Sequence, residues 1–345
     1  MRSEVGFMSS LLFFLSLAAP MAFSQSGEWE KIEIARTKPP NRTFHAMTFD
    51  SRRGVIVLHG GISSSFSLYA DTWEYDGKIW TRAAANGPGF YCHSMAYDAN
   101  RGVTVLFGGR KDPGGQSFAE IWEWDGLAWK KVNASESPSP RVIPGLVYDP
   151  ARKTIVCHGG SRNANHDTSY VVYSDAWEWN GQTWNQLQEG PPRWDHEMEF
   201  DNRKGKIVLF GGYESWGVSP TDTWEFDGSV WEQVAEEGPE GRCAHCMIFD
   251  PFRGAAVLFG GFMAEGQGSP SDVIHHDMWE WDGEEWHELD IPLKPQSVIF
   301  GDMAFDEIRK KIVFFGGMTQ MGVGVSSDTW EYYSMSSVVK NWNQY

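Results

Sequence analysis

An apolar run that ends in a double glycine, Val55-Ile-Val-Leu-His59-Gly60-Gly61, and the later stretch Asp71-Thr-Trp73-Glu-Tyr75-Asp-Gly77-Lys-Ile-Trp80 decide the fold. The apolar run predicts a strand that is covered on both faces. In the later stretch, Trp73 and Tyr75 alternate with a charged residue, which predicts a strand with one apolar face. The Asp-Gly pair that follows is the turn that a β-hairpin prefers. The two stretches therefore encode antiparallel strands.

This unit occurs six times along the chain. The double glycines are Gly60-Gly61, Gly108-Gly109, Gly159-Gly160, Gly211-Gly212, Gly260-Gly261 and Gly316-Gly317, with spacings of 48, 51, 52, 49 and 56 residues. A further strand that ends in a polar turn, as at Asp50, precedes each apolar run, and another begins at Trp80. Four short antiparallel strands per unit, with both faces apolar, are typical of propeller blades. We therefore predict an all-β fold, a six-bladed β-propeller of four-stranded antiparallel blades.

The order of features in each unit resembles the kelch repeat: an apolar run, a double glycine, a gap, an aromatic residue, a spaced Trp, and then Pro-Arg and His. The resemblance covers residues 29–333. The chain departs from the usual motif in the short Asp-Gly hairpin before the last Trp and in an added Trp at the position of Trp73. The resemblance implies a β-propeller fold.

The two ends of the chain are predicted to have different roles. Residues 1–24 have the pattern of a signal peptide, because the apolar run is shorter than the roughly 20 residues of a membrane helix and ends in a small-x-small site at Ala22-Phe23-Ser24. The mature chain is then secreted or periplasmic and not inserted in a membrane. Residues 25–333 form the propeller, in which Trp29–Ile34 completes blade six. Alternatively, the C-terminal tail, residues 334–345, supplies that strand.

Composition limits the partners. The chain has 345 residues, with 29 Lys plus Arg against 46 Asp plus Glu and a net charge of −17, which disfavours a nucleic acid. A monomer without metal or cofactor is expected. The four cysteines, Cys92, Cys157, Cys243 and Cys246, allow three pairings, although we expect them to be small buried side chains.

Polar residues that recur in every unit are predicted to be structural, since six equivalent copies cannot all form one active site. The recurrent glutamates are Glu74, Glu123, Glu178, Glu225, Glu280 and Glu331. A buried carboxylate needs a partner, so we expect each to pair with a repeat basic residue such as Arg42, Arg141, Arg193 or Arg242. The repeat histidines, His45, His93, His196 and His245, are also expected to be structural.

Residues that break the repeat are the better candidates for a ligand site, because a pseudo-symmetric scaffold becomes specific through its asymmetric residues. The loops after the double glycines and the starts of the innermost strands should meet at one mouth of the central channel. The candidates there are Arg162, His166, Glu197, Glu199, Asp302 and His275. No motif for phosphate binding or nucleophilic catalysis accompanies them.

Two function classes remain open. The first is a secreted binding module for a glycan or a protein ligand. The second is an extracytoplasmic carbohydrate-active enzyme, similar to a sugar epimerase or mutarotase, or a relative of galactose oxidase without an evident copper site. Clustering of Glu197 with Arg162 and a histidine would favour the enzyme. Dispersed loop aromatics, namely Phe66, Tyr69, Trp216 and Phe262, would favour binding.

Overall fold

A computed structural model describes residues 27–162, 170–215, 217–263, 273–296 and 298–334. These residues form six four-stranded antiparallel sheets and two short hairpins, and they contain no helix. The sheets are arranged as a ring, since the innermost strand of each packs against the innermost strands of both neighbours. The prediction of an all-β, six-bladed propeller is therefore confirmed.

The blades follow the chain order. Blade one is β2 (Ala46–Asp50), β3 (Val55–His59), β4 (Thr72–Tyr75) and β5 (Trp80–Ala84), and blade two is β6 (Tyr91–Asp98), β7 (Val103–Arg110), β8 (Ile121–Trp124) and β9 (Trp129–Val132). Blade three is β10 (Gly145–Asp149), β11 (Thr154–His158), β14 (Ala176–Trp179) and β15 (Trp184–Gln186), and blade four is β16 (Glu197–Asp201), β17 (Lys206–Phe210), β18 (Thr223–Phe226) and β19 (Trp231–Ala235). Blade five is β20 (Cys246–Asp250), β21 (Ala255–Phe259), β24 (Met278–Trp281) and β25 (Trp286–Glu288), and blade six is β26 (Ile299–Asp306), β27 (Lys311–Met318), β28 (Thr329–Ser334) and β1 (Gly27–Ile32). The hairpins β12 (Ser161–Arg162) with β13 (Val171–Val172) and β22 (Phe262–Met263) with β23 (Val273–Ile274) follow the double glycines of blades three and five.

The core lies between neighbouring blades. The second strand of each blade has both faces covered, as in β3, where Ile56, Val57 and Leu58 are fully buried. Aromatic side chains join one blade to the next: Trp80 of blade one packs against Phe315 of blade six with ring centroids 5.3 Å apart. The apolar run and the spaced Trp of the repeat thus supply the two sides of each interblade contact.

The N-terminal strand closes the ring. Strand β1 pairs antiparallel with β28 in the register Trp29↔Tyr332, so the edge of blade six is covered. Trp29 is buried against Tyr332 and against Phe259 of blade five, at 5.3 Å between ring centroids in both cases. The predicted closing strand is confirmed, with bounds two residues earlier than expected. Residues 1–26 and 335–345, which include the predicted signal peptide and nearly all of the tail, lie outside the described residues.

The recurrent glutamates are structural, but their expected partners were wrong. Each pairs with the basic residue of the turn between the first two strands: Arg53–Glu74, Arg101–Glu123, Arg152–Glu178, Lys204–Glu225, Arg253–Glu280 and Arg309–Glu331. The other arginines bind the acid that starts the third strand: Arg42–Asp71, Arg141–Asp175, Arg193–Asp222 and Arg242–Asp277. The antiparallel order places the two sets of pairs at opposite ends of the blade.

The cysteines are small buried side chains, as expected. All four are buried, and none forms a disulfide. Burial raises the pKa of the Cys157 thiol to about 12, so the group stays protonated. In the described ranges, no helix has the length and apolar character needed to cross a membrane.

Candidate functional site in the central channel

The six innermost strands, β2, β6, β10, β16, β20 and β26, surround a central channel of about 410 Å³. Among the described residues, its lining includes five acids and neither Lys nor Arg. The acids are Asp195, Glu197, Glu199, Asp302 and Glu307. The channel lining thus offers carboxyl groups without a Lys or Arg side chain to pair with them.

A belt of main-chain hydrogen bonds surrounds the channel at the end near the double glycines. Its six members all have positive φ, between 47° and 59°: Phe44, Cys92, Ile143, Asp195, Ala244 and Phe300. Between neighbouring blades, the main-chain N–H of one member donates to the carbonyl oxygen of the equivalent member in the preceding blade, as from Cys92 to Phe44 at 3.1 Å. Five of the six steps around the ring have this hydrogen bond. At the sixth step the N–H of Ala244 faces the Asp195 carboxyl group and lowers its pKa, although burial raises the pKa more. Because the conformation repeats in all six blades, its strain belongs to the architecture.

Acids enter the channel from two blades only. Two repeat positions on the six inner strands show this difference. The first is occupied by Ala46, Ser94, Gly145, Glu197, Cys246 and Asp302, and the second by Thr48, Ala96, Val147, Glu199, Ile248 and Ala304; all of these except Gly145 and Cys246 line the channel. Side chains two residues apart on a strand share a side, so Asp195, Glu197 and Glu199 form one row along β16 and the residues before it. This row starts at the belt and extends into the channel, with Asp302 on blade six.

Most polar groups in the channel are tied to the main chain of the next blade. The Asp302 Oδ2 atom accepts a hydrogen bond from the N–H of Met47 at 2.6 Å, and Ser94 Oγ donates to the Pro144 carbonyl at 2.6 Å. The main-chain N–H of Phe249 faces Glu199 and partly offsets the effect of burial on the pKa of this carboxyl group. Glu197 differs, because its carboxyl group has no hydrogen bond to any of the described residues and is partly exposed to the channel. A ligand can therefore reach Glu197 without breaking an internal hydrogen bond.

Burial in the channel favours the protonated, uncharged form of these carboxyl groups. Burial raises the pKa of Asp195 and of Glu199 to about 8 and that of Asp302 to about 7. Burial, and then the negative charges of Asp302 and Glu199, raise the pKa of Glu197 well above its ordinary value. Near neutral pH these four acids can both donate and accept hydrogen bonds, since a protonated carboxyl group carries an O–H.

The repeat histidines pack between blades. The His93 imidazole packs directly against Gly60 of the preceding blade, since a Cβ atom added to this glycine would lie only 2.8 Å from His93 Cε1. His45 packs against Gly316 in the same way. Burial lowers the pKa of His45 and of His245 to about 3, so both imidazoles are neutral. These contacts support the structural role predicted for this ring of histidines.

The structure brings three of the six candidate residues together. Glu197, Glu199 and Asp302 line the channel, whereas Arg162 and His275 do not. On β12 the side chain of Ser161 is buried, and the next residue, Arg162, is therefore exposed. His275 is buried below Glu240, with 3.8 Å between Nδ1 and Oε2. His166 lies outside the described residues.

Sequence reasoning missed Asp195 as a member of the acid row. It precedes the predicted strand, and its side chain reaches the channel because of the positive φ of the belt, 59° at this residue. The alternation of acids at positions 195, 197 and 199 was the available signal.

Comparisons with known proteins support the fold. No protein-family description matches the chain, and no curated protein matches its sequence. Among solved structures, the chain is similar to the structure of YjhT, with a TM-score of 0.66 and 16% sequence identity. The match covers 84% of this chain and 95% of the other. At this identity, the similarity shows a shared propeller architecture.

Proposed function

We propose that this chain is a secreted kelch-type propeller that acts as a binding module and takes a sugar unit of a glycan into its central channel. The observation that supports this proposal is the position of Glu197, which faces the channel without an internal hydrogen bond, beside Glu199 and Asp302. A sugar offers several hydroxyl groups, which can satisfy carboxyl groups in either protonation state.

The lining also limits the kind of sugar. An acidic sugar would place its carboxylate among the channel acids, and the described lining contains no Lys or Arg to compensate that charge. A neutral sugar avoids this cost, and an amino sugar gains from it because its ammonium group is attracted to the carboxylates. The proposed ligand is therefore a neutral or amino sugar at the end of a glycan.

A protein ligand on the loop face has less support. Phe66 is 61% exposed, but the ring of Tyr69 covers the Arg42 guanidinium at 4.3 Å, and Phe262 is buried. Trp216 lies outside the described residues. The expected set of loop aromatics therefore does not form one exposed patch.

A second candidate function is a sugar-converting enzyme of the epimerase or mutarotase type. The observation that favours it is the raised pKa of Asp302 and Glu199, to about 7 and about 8, since groups that titrate near neutral pH can transfer protons. These acids lie on different blades of one channel. The expected cluster with Arg162 is not present, so binding remains the first proposal.

The binding proposal is tested with the mature chain, residues 25–345, on a panel of neutral, amino and acidic glycans. We expect neutral or amino sugars to bind, and Glu197→Gln to weaken binding about tenfold or more, because the amide lacks the second oxygen with which the carboxyl group accepts or donates a hydrogen bond. The matched control is Glu237→Gln, which makes the same chemical change at an exposed site. Binding of acidic glycans alone, or binding unchanged in Glu197→Gln, would refute the proposal.

The enzyme alternative needs its own measurement. Magnetization transfer between the anomers of each bound sugar reports mutarotation directly, and chromatography of the sugar after incubation reports epimerisation. Acceleration by the wild-type chain that is lost in Glu197→Gln but kept in Glu237→Gln would promote the enzyme over the binding module. Binding without acceleration keeps the binding module as the function.

A further inference from the structure

Three side chains with metal-binding atoms converge on the turn between β24 and β25 of blade five, far along the blade from the channel strand. They are Asp282, Glu285 and His287, and their ligand atoms lie within 4.8 Å of one another. The His287 Nε2 atom is 3.1 Å from Asp282 Oδ2 and 3.7 Å from Glu285 Oε1. Two ligands that bind one ion at about 2.0–2.2 Å are separated by about 3–3.5 Å, so the distances from His287 to the two carboxylates are close to those of coordinated ligands.

The fold does not require this combination. The first residue of the turn is Asp or Asn in all five complete hairpins: Asp76, Asp125, Asn180, Asp227 and Asp282. At the position of Glu285 the other blades have Ile79, Ala128, Thr183 and Val230, and at the position of His287 they have Thr81, Lys130, Asn185 and Glu232. Four internal copies thus form the same hairpin without the acid and the histidine.

The turn holds its ligand atoms in place. Asp282 Oδ1 accepts hydrogen bonds from the N–H groups of Glu284 and Glu285 at 2.8 and 2.9 Å, which leaves Oδ2 to face the imidazole. Arg203 and Lys204 of blade four donate to the carbonyls of Asp282 and Gly283, both at 2.7 Å. The main chain of the turn is therefore anchored to the neighbouring blade, and such outer contacts orient metal ligands.

We propose that Asp282, Glu285 and His287 form a binding site for one divalent transition-metal ion. One imidazole and two carboxylates suit Zn²⁺, and also Ni²⁺ and Cu²⁺, better than Ca²⁺ or Mg²⁺, which prefer oxygen ligands alone. The three side chains are exposed, so water completes the coordination and the ion exchanges with solvent. Unlike the sugar proposal, this site does not depend on the channel.

The test uses the mature chain with any affinity tag removed, titrated with Zn²⁺ against a chromophoric chelator. We expect one Zn²⁺ per chain, with affinity about tenfold or more weaker in His287→Ala and in Glu285→Gln. Glu284→Gln, in the same turn but outside the ligand set, is the matched control and should bind as the wild type does. Absence of a stoichiometric ion, or equal binding by His287→Ala and the wild type, would overturn the proposal.

The internal repeats allow a second test by transplantation. Blade four already has Asp227 at the first turn position, so Val230→Glu combined with Glu232→His recreates the ligand set there. Both positions are exposed, so the protein should fold as before. We expect two Zn²⁺ per chain in this variant, and one again when His287→Ala is added. A stoichiometry that stays at one in the double variant would count against the ligand assignment.

Discussion

A guanidinium at one repeat position fixes the aromatic strand of its blade. The Arg141 side chain has no exposed surface, and it donates to both oxygens of Asp175 at 2.8 Å and to the Gly159 carbonyl at 2.7 Å. Asp175 also accepts a hydrogen bond from Trp177 Nε1 at 2.6 Å. One charge pair thus joins the start of a blade, its double glycine and its third strand.

The two blades that lack this arginine show the same need for a partner. Phe90 and Val298 occupy its position in blades two and six. The acids at the start of the third strand then pair with lysines of the outermost strand instead, as Glu120–Lys131 at 2.8 Å and Asp328–Lys31 at 2.9 Å. The acid is kept in every blade, while its cation changes.

Loss of the buried arginine should be costly. We expect Arg141→Leu to lower the free energy of unfolding by about 3–5 kcal/mol, because Asp175 would keep its charge without a partner. Arg82→Leu is the control, since Arg82 is half exposed and 3.9 Å from Asp71, and it should change the free energy by less than about 1 kcal/mol. Urea unfolding measures both. Equal effects of the two substitutions would show that burial does not govern these pairs.

For single residues, the sequence predicted the candidate site residues better than it predicted the contacts of the repeat residues. The six-fold register identified Glu197 and Glu199 as exceptions, and their place in the channel followed from the fold. The partners of Glu74 and its equivalents were wrong because the repeat gives spacing along the chain, not which end of a blade a side chain reaches. Arg162 and His275 lie in segments without a repeat register, so only the coordinates could place them.

At the scale of elements, the closing strand is the part of the fold that depends on the longest-range contact. Strand β1 pairs with β28, so that Trp29 lies opposite Tyr332, 303 residues later, and the Trp29 side chain fills a gap between blades five and six. Its sequence alone marks it as an unpaired fourth strand, since the sixth unit ends after Tyr333. The prediction of this strand therefore depended on the fourth strand that the sixth unit lacks in its own sequence.

Trp29 should account for much of the stability of the closure. We expect Trp29→Ala to reduce the free energy of unfolding by about 3–5 kcal/mol, because its buried ring would leave a cavity between two blades. Glu30→Ala changes an exposed neighbour on the same strand and should stay within about 0.5 kcal/mol. Thermal unfolding followed by tryptophan fluorescence distinguishes them. A small effect of Trp29→Ala would mean that β1 contributes little to the ring.

Deletion of the whole strand gives a stronger form of the same test. Without residues 25–34, strand β28 becomes an open edge with unpaired main-chain groups, so both a lower unfolding midpoint and aggregation are expected. Removal of residues 336–345, which lie outside the described residues, is the length-matched comparison and should lower the midpoint less. If the C-terminal deletion is the more damaging one, the tail stabilises the ring more than β1 does.

At the scale of the whole molecule, two classes of carboxyl group oppose each other as pH changes. In the first class, burial raises the pKa of Asp71, Asp175 and Asp277, but the paired arginines lower it further, to a net value below the ordinary one. These groups stabilise the fold above their unfolded pKa of about 4, and this contribution is lost as pH falls. They act in blades one, three and five.

The channel acids form the second class, with the opposite sign. The folded-state pKa values of Asp195, Glu199 and Asp302, about 8, 8 and 7, lie above the values of about 4 expected for the unfolded chain. Between these limits the folded state binds more protons, so stability falls as pH rises from about 4 to about 8. Together the two classes place the maximum of stability on the acidic side of neutrality.

We therefore expect the unfolding midpoint to be highest near about pH 5 and to decline toward pH 9. Glu199→Gln should remove part of this decline, because a neutral amide keeps the side-chain oxygen that faces the Phe249 N–H but has no proton to lose. The pKa shift of Glu199 corresponds to about 5 kcal/mol at most, and the open channel reduces the expected gain in the free energy of unfolding at pH 9 to about 1–2 kcal/mol.

Glu197→Gln should act in the same direction, and Glu237→Gln should follow the wild-type curve at every pH. Midpoints measured from pH 4 to 9 decide the matter, and a wild-type curve that rises toward pH 9, or channel variants that run parallel to it, would show that the acid row is ionised at no cost to the fold.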